Sequence, residues 1–170
     1  MAYIYVGFST PKKFSLVSTI IKLWQGVDYS HVYLRFESSN KYVPSSVYQA
    51  TADKVNFKSF ENFSKDSIVI EELKVEVTDV ERSMILGDCI GLAGASYGYL
   101  EILKIVINDI LYKLCKKTVS FKDAPDGYIC SELVATLLIH GLNYRFEKPL
   151  YLLKPIDIYK TLSKKDKEIP

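Results

Sequence analysis

Cys130 occupies a position in which a thiol could act as a nucleophile. It lies in residues 126–134 (DGYICSELV), where a glycine-containing loop leads directly into a helical pattern. A cysteine in the first turn of a helix is next to unpaired backbone N–H groups and to the positive end of the helix dipole, and both favour the thiolate. The same N–H groups could stabilise an oxyanion. The sequence therefore makes Cys130 the candidate nucleophile.

His31 is the better candidate for a base among the two histidines. It lies in residues 30–36 (SHVYLRF), where polar and apolar residues alternate as is typical of a β-strand. In such a strand His31 and its neighbour Val32 point to opposite faces of the sheet. A strand holds the ring rigidly and can aim it at a neighbouring helix, although a lone strand histidine is more often an ordinary polar side chain. His140 ends a helical pattern, where a cation is mildly favourable next to the last carbonyl groups. Cys89 and Cys115 fall inside helical apolar patterns, which predicts that both are core residues.

The composition argues against several other kinds of chemistry. The two histidines and three cysteines are scattered singly, so no zinc finger, ribbon or knuckle fits, and we expect neither a metal nor a cofactor. The odd number of cysteines, and a start that resembles a strand rather than a signal peptide, predict reduced thiols and synthesis in a cytoplasm. The 22 basic and 20 acidic residues give a net charge of +2, and only three of the basic residues are arginines, which argues against a nucleic-acid partner. No apolar run is long enough to span a membrane.

The first half of the chain is dominated by strand signals. The first amphipathic helix is predicted to begin with Thr10 as N-cap and Pro11 as first residue, and to end at Gly26. A short helical turn is predicted around Phe60. The predicted strands are residues 2–8, 30–36, 42–51, 55–57 and 67–77.

Helices dominate the second half. Thr78 and Glu81 form a capping-box pattern that opens a helix ending in the region of residues 94–98. Further predictions are a helix over 100–116, a polar loop over 117–127, a helix over 129–140 stopped by Gly141, and a short helix over 155–162. Strands followed by helices predict one α+β domain over residues 1–170, with an antiparallel sheet of about five strands packed against helices and a tail disordered from about residue 164. A chain of this length buries roughly 70% of its unfolded surface, so it needs no disulfide or metal for stability.

Four short blocks of the sequence, in a fixed order, resemble a known family. They are residues 30–33 (SHVY), 47–50 (VYQA), 97–99 (YGY) and 128–134 (YICSELV). Together they resemble the circularly permuted NlpC/P60 group of papain-like cysteine hydrolases, and the resemblance covers roughly residues 28–140. It implies a papain-like α+β fold and a thiol-dependent attack on an acyl carbon.

The resemblance also implies a role for each matching residue. Cys130 would be the nucleophile, His31 the general base, and Gln49 the residue that orients the His31 ring. Gln49 departs from the acidic residue that is usual at this position: its amide can orient an imidazole but cannot stabilise an imidazolium by charge. Ile129 departs from the aromatic residue that commonly precedes the cysteine. The residues expected to line the substrate cleft are Tyr97, Tyr128 and Ser131.

Three functions remain open at this point. The leading one is a thiol hydrolase of an amide bond in a peptide or a peptidoglycan-like substrate. The second is a lipid acyltransferase or acyl hydrolase, and the third is a catalytically silent relative that binds a ligand in the same cleft, which Gln49 supports. The helix over residues 100–116 could lie on a membrane, although a helix packed on a sheet produces the same pattern more often. A stand-alone domain of this composition would suit a viral or phage protein, in a host cytoplasm or a virion.

Overall fold

A five-stranded antiparallel sheet forms the first half of the molecule. We analysed a computed structural model, which describes residues 2–38, 40, 42–98, 115–116 and 127–165. The order of strands across the sheet is β4-β3-β2-β1-β5, and every neighbouring pair is antiparallel. The strands are β1 (Ala2–Pro11), β2 (His31–Phe36), β3 (Ser46–Ala50), β4 (Val55–Ser59) and β5 (Ser67–Val77).

Helices surround this sheet and complete an α+β architecture, as the order of the patterns predicts. They are α1 (Leu16–Gln25), α2 (Phe60–Asp66), α3 (Asp79–Leu92), α4 (Cys130–Leu142) and α5 (Pro155–Lys165), with a 3-10 turn at Leu150–Leu152. The capping box that begins α3 is present, because Thr78 accepts from the Glu81 N–H and the Glu81 carboxylate accepts from the Thr78 N–H. Within the described part of the chain, no helix is both long and apolar enough to cross a membrane.

The main core lies between one face of the sheet and α4. Alternation along β2 sends Val32 and Leu34 to this face, where they pack with α4 residues such as Leu133 and Leu137. The opposite face carries a smaller cluster that includes Tyr33. α4 therefore crosses β2 and β3 and brings its first residue, Cys130, to the end of the sheet where β2 begins.

The prediction that Pro11 begins a helix is wrong. β1 continues to Pro11, which pairs with Ser67 of β5, and the N-cap of α1 is Ser15. Proline is tolerated here because β2 begins opposite Ser9, so the last two residues of β1 have a strand on one side only. The strand predicted over residues 2–8 therefore ends too early, because β1 extends to Pro11.

Gly141 does not stop α4, which continues to Leu142 and ends at Asn143 in a left-handed conformation with a φ of 54°. Gly141 is needed for packing instead, because an added Cβ would lie 2.2 Å from Ile85 Cγ1 of α3. Cys89 is buried as predicted, but Cys115 is exposed, so its prediction as a core residue is wrong: periodicity identifies an apolar stripe without saying whether the stripe is covered.

Several boundaries differ from the sequence patterns by a few residues. β3 begins only at Ser46, after Pro44, and β4 extends to Ser59. Parts of three predicted features lie outside the described residues. They are residues 100–114 of the helix predicted over 100–116, most of the loop predicted over 117–127, and the tail beyond residue 165.

Candidate active site

Cys130 is the first residue of α4, and its sulfur meets backbone N–H groups. Ile129, the N-cap residue, is apolar and makes no side-chain capping hydrogen bond. The N–H groups of Val32, Ser131 and Cys130 itself are directed at the Cys130 sulfur, where they favour a negative charge. A helix start without a side-chain cap therefore leaves its N–H groups for the nucleophile.

The resting state of the thiol differs from what its helix position predicts. Cys130 is only 7% exposed. This burial raises the pKa of the Cys130 thiol, and the three backbone N–H groups offset only part of the rise. The helix start thus favours the thiolate, as its position predicts, but the loss of solvation outweighs it, so the net effect is a thiol pKa above its ordinary value.

His31 and Gln49 are joined by a hydrogen bond between neighbouring strands. His31 Nε2 lies 2.9 Å from Gln49 Oε1. An amide oxygen can only accept, so Nε2 carries the proton and Nδ1 of the neutral ring has the free lone pair. Burial lowers the pKa of His31 to about 4, although the bond to Gln49 works in the opposite direction. The ring is therefore neutral near pH 7, in the form that a general base requires.

Cys130 lies next to Val32, the residue that follows His31, rather than against the His31 ring. The Cys130 sulfur reaches the N–H of Val32. Alternation along β2 places the His31 ring on the side of Tyr33, 6.4 Å away between ring centroids, while Val32 faces α4. No hydrogen bond between the Cys130 sulfur and the His31 ring is found among the described residues.

Two adjoining cavities connect these residues. The larger has a volume of about 320 Å³ and is lined by His31 and Gln49. The smaller, of about 30 Å³, is lined by Cys130. Residues that line both cavities are Ile21, Ser30 and Tyr97. The two cavities therefore adjoin at these three residues.

The three predicted cleft residues have different positions. Tyr97 lines both cavities and forms an isolated bridge with Tyr128. Tyr128 packs against the main core, and its N–H donates to Ser96 O at 2.9 Å. Ser131 lines the smaller cavity, but its hydroxyl donates to Leu153 O at 2.6 Å. We infer that this bond of Ser131 holds the start of α4 in place. Of the three residues, only Tyr97 lines both cavities.

A group of buried hydroxyls beside His31 was not predicted from the sequence. Ser18 Oγ lies 2.6 Å from Ser30 Oγ and 3.3 Å from Thr10 Oγ1. Ser9 Oγ is also buried, lines the larger cavity and has no partner among the described residues. Serines are common in turns and at the ends of elements, so the sequence held no signal that Ser9, Ser18 and Ser30 would line one cavity.

Among the described residues, no group of three or more histidine, cysteine, aspartate or glutamate side chains comes together. The described residues that line the larger cavity include no lysine, arginine, aspartate or glutamate. No model of a protein family and no curated protein matches the chain. The described groups that line the two cavities include the Cys130 thiol, the His31 imidazole, the Gln49 amide, several hydroxyls and, in the smaller cavity, Lys154.

Proposed function

We propose that this protein is a thiol hydrolase that cleaves an amide bond through an acyl-enzyme on Cys130. The observation that carries the proposal is the bond between His31 Nε2 and Gln49 Oε1, because it leaves Nδ1 as an acceptor at the end of β2 where the Cys130 sulfur lies. The roles are those that the resemblance to the NlpC/P60 group implies: Cys130 as nucleophile, His31 as general base and Gln49 as the residue that orients His31.

The proposed reaction begins from a neutral thiol and a neutral imidazole. The Cys130 sulfur attacks the substrate carbonyl carbon as its proton passes to His31 Nδ1. The oxyanion that forms is stabilised by backbone N–H groups at the start of α4. His31 then returns the proton to the departing amine, which leaves a thioester on Cys130. Water attacks this thioester with His31 again as base, and the carboxylic acid and free thiol are released.

Proton transfer requires His31 Nδ1 to come within hydrogen-bond distance of the sulfur, directly or through one water molecule. Such bonds often tighten only when substrate is bound. Because Gln49 holds Nε2, we expect the sulfur rather than the ring to make the adjustment.

An activated ester tests the nucleophile. p-Nitrophenyl acetate should give a burst of nitrophenolate and an acetyl group on the peptide that contains Cys130, detected by mass spectrometry. Cys130→Ala should abolish the burst, and Cys115→Ala, which removes the exposed thiol, should leave it unchanged. His31→Asn should slow acylation by roughly 10²-fold or more. Acetylation of Cys115 or Cys89 with Cys130 untouched would instead favour the catalytically silent relative.

The pH dependence tests the base separately. A base must be unprotonated, and since the pKa of His31 is lowered to about 4, acylation should persist as the pH falls through 6.5 and decline only towards pH 4. Gln49→Glu should move this decline to higher pH, because a carboxylate stabilises the imidazolium. Gln49→Ala should slow acylation without that shift. An unchanged profile in Gln49→Glu would contradict the proposed pairing.

A second candidate function, hydrolysis or transfer of a lipid acyl group, is favoured by one observation. Helix α1 lines both cavities through Ile21 and exposes much of its apolar surface. A substrate with an acyl chain would find apolar surface on the path to the site. Comparing a long-chain with a short-chain p-nitrophenyl ester separates the two functions, since only the lipid enzyme should prefer the longer chain.

A further inference from the structure

Helix α1 presents its apolar side chains away from the protein. Its one buried residue is Ser18, whose hydroxyl bonds to the hydroxyls of Ser30 and Thr10. The opposite side of the helix and the turn before it carry five exposed apolar residues, which we call the outer face: Phe14, Leu16, Val17, Ile20 and Leu23. The buried contact of α1 with the sheet is thus made by polar groups. In an ordinary amphipathic surface helix the side that faces the protein is apolar.

The outer face is continuous along the helix. Leu16, Ile20 and Leu23 are four and three residues apart, so they form one stripe. Phe14 is 84% exposed and Leu23 is 80% exposed. Single exposed apolar residues are normal on a protein surface, but a contiguous group marks an interaction site.

The charges around this face point to an anionic partner. Residues 10–27 contain three lysines, Lys12, Lys13 and Lys22, and no acidic residue. Over the whole chain the 22 basic residues are nearly balanced by 20 acidic ones, so this segment is locally basic. Two carboxylates lie near this segment: Asp28 follows it directly, and Asp66 interacts with Lys12 and Lys13 but is already paired with Lys58, so an excess of positive charge remains. Apolar side chains accompanied by an excess of lysines are typical of a helix that lies in the interface of an anionic membrane.

We propose that the outer face of α1 docks on the surface of an anionic phospholipid bilayer. The apolar side chains would enter the acyl region below the headgroups, and the lysines would lie at the level of the phosphates. A bilayer suits the size of this surface better than a second protein, because stable protein interfaces use roughly 20 to 30 residues on each side. The outer face has five side chains on a ten-residue helix and its preceding turn.

Docking in this way would also bring the candidate active site to the membrane surface. Val17 belongs to the outer face and lines the larger cavity together with Ile21 and His31. A lipid leaving the bilayer along α1 would enter that cavity without crossing water. This consequence for the substrate rests on the second candidate function proposed above, hydrolysis or transfer of a lipid acyl group, whereas the docking itself does not.

The chain contains its own reporter for docking. Trp24 is the only tryptophan and belongs to α1, one turn after Ile20. Addition of vesicles made of phosphatidylcholine and phosphatidylserine should shift the Trp24 fluorescence to the blue. The protein should also sediment with these vesicles. Phe14→Ser with Leu23→Ser should weaken the partition at least about tenfold, because two exposed side chains no longer enter the bilayer.

A matched control changes equally exposed apolar residues elsewhere. Val80 and Ile90 of α3 are 70% and 69% exposed, and Val80→Ser with Ile90→Ser should bind vesicles as the unchanged protein does. For charge, Lys13→Glu with Lys22→Glu should weaken binding about tenfold or more, since each lysine near an anionic surface contributes about 1 kcal/mol, or about fivefold. The control is Lys54→Glu with Lys160→Glu. Vesicles of phosphatidylcholine alone should bind more weakly than anionic ones.

Three results would overturn the proposal. The first is no Trp24 shift and no sedimentation with anionic vesicles. The second is equal loss of binding in the α1 and α3 variants. The third is a dimer in analytical ultracentrifugation that Phe14→Ser with Leu23→Ser dissociates, which would assign the outer face to a second copy. Cys130→Ala should bind vesicles normally, so a failure of the proposed catalysis and a failure of docking give different results.

Discussion

The two helices that border the candidate site, α1 and α4, are both rich in apolar residues and use them in opposite ways. Eight of the 13 residues of α4 are buried, and most of them belong to the main core beside the sheet. In α1 one residue of ten is buried, and that residue is Ser18. Apolar content identifies a helix but does not decide which side faces the core, because that depends on what the neighbouring elements offer. The sheet offers α4 Val32 and Leu34, and it offers α1 the hydroxyls of Thr10 and Ser30.

A leucine in each helix gives the largest expected difference. Leu137 of α4 is fully buried, so Leu137→Ala should lower the free energy of unfolding by about 2–5 kcal/mol. Leu23→Ala in α1 should change it by less than about 0.5 kcal/mol, because the side chain is exposed in the folded protein. Urea denaturation measures both. A cost for Leu23→Ala comparable to that of Leu137→Ala would mean that the outer face of α1 is covered within the protein.

A glycine tests how closely α4 packs. In Gly141→Ala the new Cβ would meet Ile85 Cγ1 at 2.2 Å, and we expect a loss of about 1–3 kcal/mol in the free energy of unfolding. The control is Gly87→Ala in α3, where no described atom lies within 4 Å, and a gain of about 0.5–1 kcal/mol is expected from helix propensity. Adding Ile85→Ala to Gly141→Ala should cost less than the sum of the two changes. Additive costs would place the strain elsewhere.

A serine tests the polar attachment of α1. Ser18→Ala removes a partner from the buried hydroxyls of Ser30 and Thr10, and should lower the free energy of unfolding by about 1–2 kcal/mol. Ser83→Ala on α3 removes an exposed hydroxyl and should change it by less than about 0.5 kcal/mol. Thermal or urea unfolding of the two variants decides the point. A stabilising Ser18→Ala would indicate that α1 prefers apolar contact with the sheet.

Local patterns predicted much of the fold. β5 has the predicted bounds, and the Thr78–Glu81 capping box begins α3 where the sequence places it. α4 begins at Cys130, one residue inside its pattern. These features depend on interactions between residues that are close together in the sequence, so the local pattern is enough to predict them. Pro11 was misread because a Thr-Pro pair also fits the end of a strand that has a partner on one side only.

The candidate site was less predictable than the fold. The residue types of Cys130, His31 and Gln49 and their local settings can be seen in the sequence, and the resemblance to a family suggested that they act together. Their contacts could not be deduced, because 18 positions separate His31 from Gln49 and only the pairing of strands brings Nε2 and Oε1 to 2.9 Å. The buried hydroxyl of Ser9 likewise depends on where other elements close the cavity.

The sequence by itself determined which groups can react and which strands and helices carry them. The tertiary structure decided whether those groups are solvated. It buries Cys130, which raises the thiol pKa against the influence of the helix start, and it buries His31, whose pKa falls to about 4. It also turns the apolar side of α1 outward. Helix and strand formation are governed by nearby residues, whereas burial is the sum of contacts from the whole chain, and burial controls both proton affinity and exposed apolar surface.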